Sequence, residues 1–382
     1  MTRPDGSLPP QGATSGDQTA SSNPGQYDGA PLFSFLTITL LELAAIFWVG
    51  AHFFQHFVLP PVTEENKAQG AMTYQVQRRF ERRLAVPTVL LLLLANSGIL
   101  LGQVVTVADG NGARVLDPSL WMTLLTSGRF GLFWFIRELL LVLALRLAFL
   151  PFQMKQFPQM IATILAWANL LLGLALFVTM ASTSHAAATT SSLGVYAVLA
   201  DFLHLLAAAF WIGGILFIGC CYLPILRTYP PVEQAGSLVT ILSSYSPWAL
   251  VGVVLMAITD PFTATLRLNG WNQFVTTLYG QVLTIKILLV GVLLLTSGMH
   301  IFLLCPRLKK TYLASFDPKT HIPGTAAERE TSALRRAEQV KQGEEQLAGQ
   351  ARWLMRILSW EASVGILILI CVGVMNVVAG TL

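Results

Sequence analysis

The stretch Asp201 to Leu226, DFLHLLAAAFWIGGILFIGCCYLPIL, decides the class of the whole chain. It exceeds the roughly 20 apolar residues that cross a hydrocarbon core as a helix, yet it carries an acid, an imidazole and two thiols. A charged side chain at the bilayer centre costs roughly 2.5–3.5 kcal/mol on insertion scales, so Asp201 and His204 read as functional groups. Ala207 to Ala209 and Gly213-Gly214 offer a small-residue face to a neighbouring helix, and Pro224 ends the span.

The composition extends this reading outward. The chain is 54% hydrophobic and 12% charged, with a mean hydropathy of +0.62, whereas soluble domains carry roughly 25% charged residues. A soluble domain is excluded, and the lipid bilayer is the first partner. A net charge of +4 is too small to indicate nucleic acid. Cys220, Cys221, Cys305 and Cys371 lie in or beside apolar runs rather than in a disulfide framework. The sequence shows no Gly-rich phosphate loop, no G-x-S-x-G elbow and no H-E-x-x-H, so neither an ATP-driven pump nor an enzyme is expected.

Residues 1–31 are dominated by Gly, Ser, Pro, Gln and Asp and read as a disordered extracytoplasmic tail, without the basic start and short apolar run of a signal peptide. Eight apolar runs follow, near 32–58, 84–107, 130–150, 160–182, 195–223, 246–266, 278–304 and 353–378. The expected fold is all-α: a polytopic membrane protein of about eight transmembrane helices. Lys67, Arg78, Arg79, Arg82 and Arg83 fill the first connection, and nine basic residues fall between Arg307 and Arg352. The positive-inside rule makes both connections cytoplasmic, including the one at 306–352. Both termini are then extracytoplasmic, on a multi-pass membrane protein. Residues 325–350, rich in Ala, Glu, Gln and Arg, read as a solvated helical connector.

Internal repetition divides the chain. AAIFWVG from Ala44 returns as AAAFWIG from Ala207, an offset of 163 residues. FGLFWFIRELLLV from Phe130 matches YGQVLTIKILLVG from Tyr279 at an offset of 149, which aligns Arg137 with Lys286. ILAWAN at Ile164 and ILSWEA at Ile357 complete the pattern. Two related four-helix halves are expected, 32–182 and 183–382, in the same orientation because each has an even number of spans.

Four features together resemble the copper resistance D family (the CopD, PcoD and YcnJ type). They are SHAAA at Ser184, DFLHLLAAAFWIGG at Asp201, YGQVLTIKILL at Tyr279 with its intramembrane lysine, and a last span carrying Glu361. The likeness covers about 183–378. It implies a copper resistance protein of the inner membrane that carries out ion transport, moving copper inward, with a small CopC-like copper-binding protein as partner. Asp260-Pro261 stands where that family often has a glycine.

The ionisable residues sort by depth. His185 lies just beyond the fourth span and His204 about three turns into the fifth, while Met256 and Asp260 are one turn apart on the sixth. Imidazole, thioether and carboxylate together suit a copper ion, so these four residues form the expected outer metal site. His52 and His56, spaced i, i+4 toward the other end, can hold a metal or a haem edge. Cys220, Cys221, His300 and Cys305 end their spans on that same side, either as a thiol exit group or as small buried hydrophobes. Among the structural charges, Asp260 matches the depth of Lys286, Glu42 matches that of Arg137, and Glu361 is either a relay or the partner of an arginine such as Arg146.

Two other classes compete. FLHLLAAAFWIGG also resembles, more faintly, the HemJ-type protoporphyrinogen oxidases, which implies a membrane redox protein holding haem b between His204 and His52 or His56. The third class is a structural or sensory membrane subunit.

Overall fold

A computed structural model describes residues 29–59, 67–109, 111–126, 128–153, 159–183, 193–265, 270–314 and 326–379. Most of the expected tail and all of the segment around His185 lie outside these residues.

Eight long helices dominate the described residues, with shorter helices between them. Inside a bilayer no water satisfies backbone N–H and C=O groups, so an apolar run closes its hydrogen bonds within itself. The long helices are α1 (Gly29–Phe57), α2 (Val86–Val107), α3 (Arg129–Gln153), α4 (Gln159–Ser182), α5 (Leu193–Ala208), α6 (Pro231–Thr265), α7 (Leu278–Met299) and α8 (Ala326–Ala379). The fold is all-α, and no strand occurs among the described residues. Seven of the eight contain stretches long and apolar enough to cross a membrane. The eighth, α3, carries Arg129, Arg137, Glu138 and Arg146 within its 25 residues. At 1.5 Å per residue it is ~37 Å long, still enough for a ~30 Å core.

Several helices are longer than their apolar runs. A helix at Lys67–Arg79 leads through a π turn, Phe80–Ala85, into α2. The segment expected as a separate connector is the beginning of α8, which continues for 54 residues. No proline interrupts it, and Ala, Glu, Gln and Arg are good helix formers.

Helix α1 lies at the centre, against α2, α4, α8 and a π turn that follows α5. Its approach to the fifth span depends on glycine. A Cβ placed on Gly50 would stand 2.7 Å from the Ala209 carbonyl oxygen, and one on Gly213 would stand 2.5 Å from that of Ile46. Ile46 and Ala209, like Gly50 and Gly213, are separated by 163 residues. One turn further on, the rings of Phe54 and Phe217, again 163 apart, have centroids 4.9 Å from each other. Residues along this seam therefore meet their own counterparts.

The fifth span is not a regular helix. π turns at Ala209–Gly213 and Ile218–Tyr222 interrupt it before it ends at Leu226. Each widened turn shifts the following side chains around the axis and loosens the carbonyl ladder. Tyr245 of α6 occupies the first opening, its hydroxyl donating to the Trp211 carbonyl at 2.5 Å, with Gly214 against its ring.

Candidate functional site

A cavity of about 370 Å³ lies in the half of the bundle where α1, α3, α5 and α7 begin and α2, α4, α6 and α8 end. Its walls include Glu42 of α1, Arg137 of α3, Asp201 and His204 of α5, Met256 and Asp260 of α6, Lys286 of α7 and Asn376 of α8. Of the four residues expected at the outer metal site, His204, Met256 and Asp260 share this cavity, and His185 lies outside the described residues.

Local geometry explains their convergence. Met256 and Asp260 stand one turn apart, on one face of α6. That helix continues through Pro261 to Thr265, so the Asp260-Pro261 step does not break it. Lys286 is 4% exposed although Ile285 and Ile287 beside it are more than half exposed. Its Nζ donates to Asp260 Oδ1 at 2.7 Å. The same oxygen is 3.5 Å from His204 Nδ1.

His204 Nδ1 is also 3.1 Å from Thr259 Oγ1. The Thr259 hydroxyl donates to the Leu255 carbonyl at 2.9 Å, so toward His204 its oxygen acts as acceptor. The ring proton then sits on Nδ1, and Nε2 keeps its lone pair. Metal-binding histidines are commonly oriented in this way, by a hydrogen bond from the other ring nitrogen.

The expected Glu42–Arg137 pair is not formed. Glu42 Oε1 accepts from Asn376 Nδ2 at 2.6 Å. Arg137 donates to Asn96 Oδ1 at 3.2 Å, to Thr179 Oγ1 and the Thr179 carbonyl at 3.3 Å, and to Thr183 Oγ1 at 2.8 Å. Asn96 in turn donates to Glu138 Oε2 at 2.6 Å. The reason is lateral order: α3 packs on α2 and α4, which bring their own polar groups to the guanidinium. Glu361 does not pair with Arg146 either. It is fully buried and accepts from Ser297 Oγ at 3.1 Å, with His300 Nδ1 at 3.2 Å.

His52 and His56 stand apart from the cavity. His52 packs between Trp48 and Phe80, with ring centroids at 4.4 and 5.3 Å, and His56 packs on Trp167 at 4.6 Å. His52 is eleven residues further along α1 than Leu41, the counterpart of His204, or ~16 Å along the axis. Axial ligands of one haem iron stand directly on either side of it, so this separation along the axis speaks against a haem held between His204 and His52 or His56. Cys220 is exposed and Cys221 buried, and Arg79 donates to the Cys220 carbonyl at 2.9 Å. Among the described residues no three His, Cys, Asp or Glu side chains are placed to share a metal ion.

Sequence reading passed over Asn96, Thr259 and Asn376. An amide inside an apolar run is itself a signal, by the same cost argument that singled out the charges. Thr259 had no such signal.

Residues 33–195 match the family model described as copper resistance protein D-like, N-terminal domain, and residues 239–375 match copper resistance protein D. The chain belongs to the copper resistance D family. Most of α1 to α4 falls in the first match and most of α6 to α8 in the second, so the cavity draws on both. His204 lies between the two matches. The chain is 26% identical over 199 residues to the inner membrane protein YebZ of Escherichia coli K12, covering 51% of this chain and 62% of that one. It is 27% identical over 205 residues to the copper transport protein CutJ of Bacillus subtilis 168, covering 53% of this chain and 36% of that one. Both matches span less than two thirds of the relative's length. No solved structure matches.

Proposed function

We propose that the protein carries copper ion inward across the inner membrane and takes it up in the cavity of His204, Met256 and Asp260. The observation that carries the proposal is His204, held by Thr259 so that Nε2 has a free lone pair, in a cavity shared with a thioether and a carboxylate. This donor set accepts copper, the imidazole in either oxidation state and the thioether as Cu(I). Lys286, bonded to Asp260, competes with the ion and keeps its hold weak enough for release, as conduction requires.

On this reading the cavity faces outward, both termini are extracytoplasmic and the basic connection at 306–352 is cytoplasmic. The similarity to an inner membrane protein and to a copper transport protein supports an inner-membrane location and copper as cargo. A CopC-like protein delivers the ion to the outer face, where His185 is its first ligand. The two four-helix halves form one pathway, and no catalysis is involved.

His204→Ala is expected to lower copper accumulation in cells while the protein's level in the membrane stays constant, and His185→Ala to act in the same direction. Haem in the purified wild type, lost in His204→Ala with copper uptake unchanged, would overturn the proposal.

A further inference from the structure

Between the cavity and the basic face of α8 lies one more polar cluster, Ser297, His300 and Glu361. Glu361 is eight residues inward of Leu369 on the cavity wall and five from the exposed Arg356, or ~12 Å and ~8 Å along the helix. Its carboxyl is fully buried, and Oε2 has no hydrogen-bond partner among the described residues. His300, also buried, opens the π turn His300–Leu304 that ends α7. A widened turn of this kind inserts a residue and re-aims the side chains around it, and such turns recur at functional sites.

The groups around this pair are few and fixed. Ser297 of α7 donates to Glu361 Oε1. Tyr245 of α6 is within electrostatic reach of Glu361, but its hydroxyl is committed to Trp211. Phe54 of α1 lies against the Tyr245 ring, with centroids 5.5 Å apart, and the fifth span presents Gly219 to Ala362. Among the described residues, the hydrogen bonds and ion pairs of Glu361 include no lysine or arginine.

An uncompensated charge at this position is costly, so a buried carboxylate here needs one positive charge beside it, which a proton or a monovalent metal ion supplies equally. A carboxylate and a neutral imidazole sum to zero net charge with either. We propose that Glu361 and His300 form a second, inner cation site that holds either one proton or one Cu(I) ion. The proposal rests on the inward copper transport described above and assigns a site to its inner half.

The exchange balances. Cu(I) arriving from the cavity displaces the proton, which leaves through the cavity. When the ion departs inward, a proton from the cytoplasmic water replaces it. Net movement is one Cu(I) inward for one proton outward, with no oxidation or reduction. A carboxylate is a poor ligand for a soft ion, so the ion is held weakly, as a transit site requires.

Two measurements on the full-length protein test this. In weakly buffered detergent solution, Cu(I) added as its acetonitrile complex should release one more proton per wild-type molecule than per Glu361→Gln molecule. Gln keeps the shape and can keep the Ser297 bond, and His300→Gln should show the same deficit. Equal release from wild type and Glu361→Gln would overturn the site. In liposomes with an internal pH indicator, copper entry through wild type should make the interior more alkaline. Copper entry without that change would overturn the exchange. Release that depends on Glu361 without any copper entry would sink the transport reading and leave the cation site standing.

Discussion

Lys286 illustrates how a single residue can run against its surroundings. Ile285 and Ile287 face outward from the bundle while the ammonium between them reaches Asp260 at 2.7 Å. Lys286 is buried but the Asp260 side chain is 31% exposed, so removing the lysine costs less than the about 3–5 kcal/mol lost when one partner of a fully buried pair is removed. Lys286→Met should therefore lower the thermal unfolding midpoint in detergent, and adding Asp260→Asn should restore part of the loss. Strictly additive losses would show that the two residues do not act as a pair. Arg137 makes a different prediction, since its guanidinium reaches Asn96, Thr179 and Thr183 at once. A single ammonium cannot span these three residues, so Arg137→Lys should destabilise the protein although the charge is kept. A variant as stable as wild type would show that charge alone matters. His204, Asp260 and Lys286 were legible in the sequence because an ionisable group stands out in an apolar run. The Thr259 hydroxyl that sets the His204 tautomer was not, since threonine is common in such helices.

Among the elements, the contact of α1 with the fifth span depends on two glycines. At Gly50 an added Cβ meets backbone, the Ala209 oxygen and Gly213 Cα both at 2.7 Å, and backbone cannot rotate away. Gly50→Ala and Gly213→Ala should each force the helices apart and reduce the yield of monodisperse protein on size exclusion. Gly291 on α7 is the control, because nothing lies within 4 Å of an added Cβ there. Gly291→Ala should leave stability unchanged or raise it, by at most about 1 kcal/mol from helix propensity. Losses of equal size at Gly50 and Gly291 would refute the close-packing account. The small-residue face at Ala207 to Gly214 was readable from sequence as a packing face. The π turns at 209–213, 218–222 and 300–304 were not; at 209–213 the opened ladder is filled by Tyr245 of another helix, which no local pattern encodes.

For the whole molecule, the polar groups divide into an upper cavity and a buried inner pair, and their functional direction depends on orientation. Lys309 lies in the exposed basic segment after α7, and Leu116 in the exposed connection between α2 and α3. On a cysteine-free background, Lys309→Cys should react with a membrane-impermeant thiol reagent only after the membrane is opened from the cytoplasmic side. Leu116→Cys should react in intact cells. The reverse pattern would invert outside and inside, and would make the cavity an exit rather than an entry. The reciprocal contacts of Ile46 with Gly213 and of Gly50 with Ala209 fit two halves arranged about a shared axis, but the halves differ chemically. His204 has Leu41 as its counterpart, and Lys286 has Arg137.

Hydropathy and the placement of charge are properties of the chain in one dimension. They were sufficient for the membrane class and the eight helices, while matching residue strings gave the repeat and the resemblance to the copper resistance D family. They also gave the depth of each ionisable group, because depth follows from position along a helix at 1.5 Å per residue. What depth cannot supply is which helices are neighbours. Glu42 and Arg137 were matched in depth, yet packing gave Glu42 to Asn376 on α8 and Arg137 to the polar groups of α2 and α4. Glu361 likewise found His300 rather than an arginine. Lateral order is set by the summed packing of whole helix faces, with close approach allowed where glycines meet, and no local pattern in the sequence records that sum.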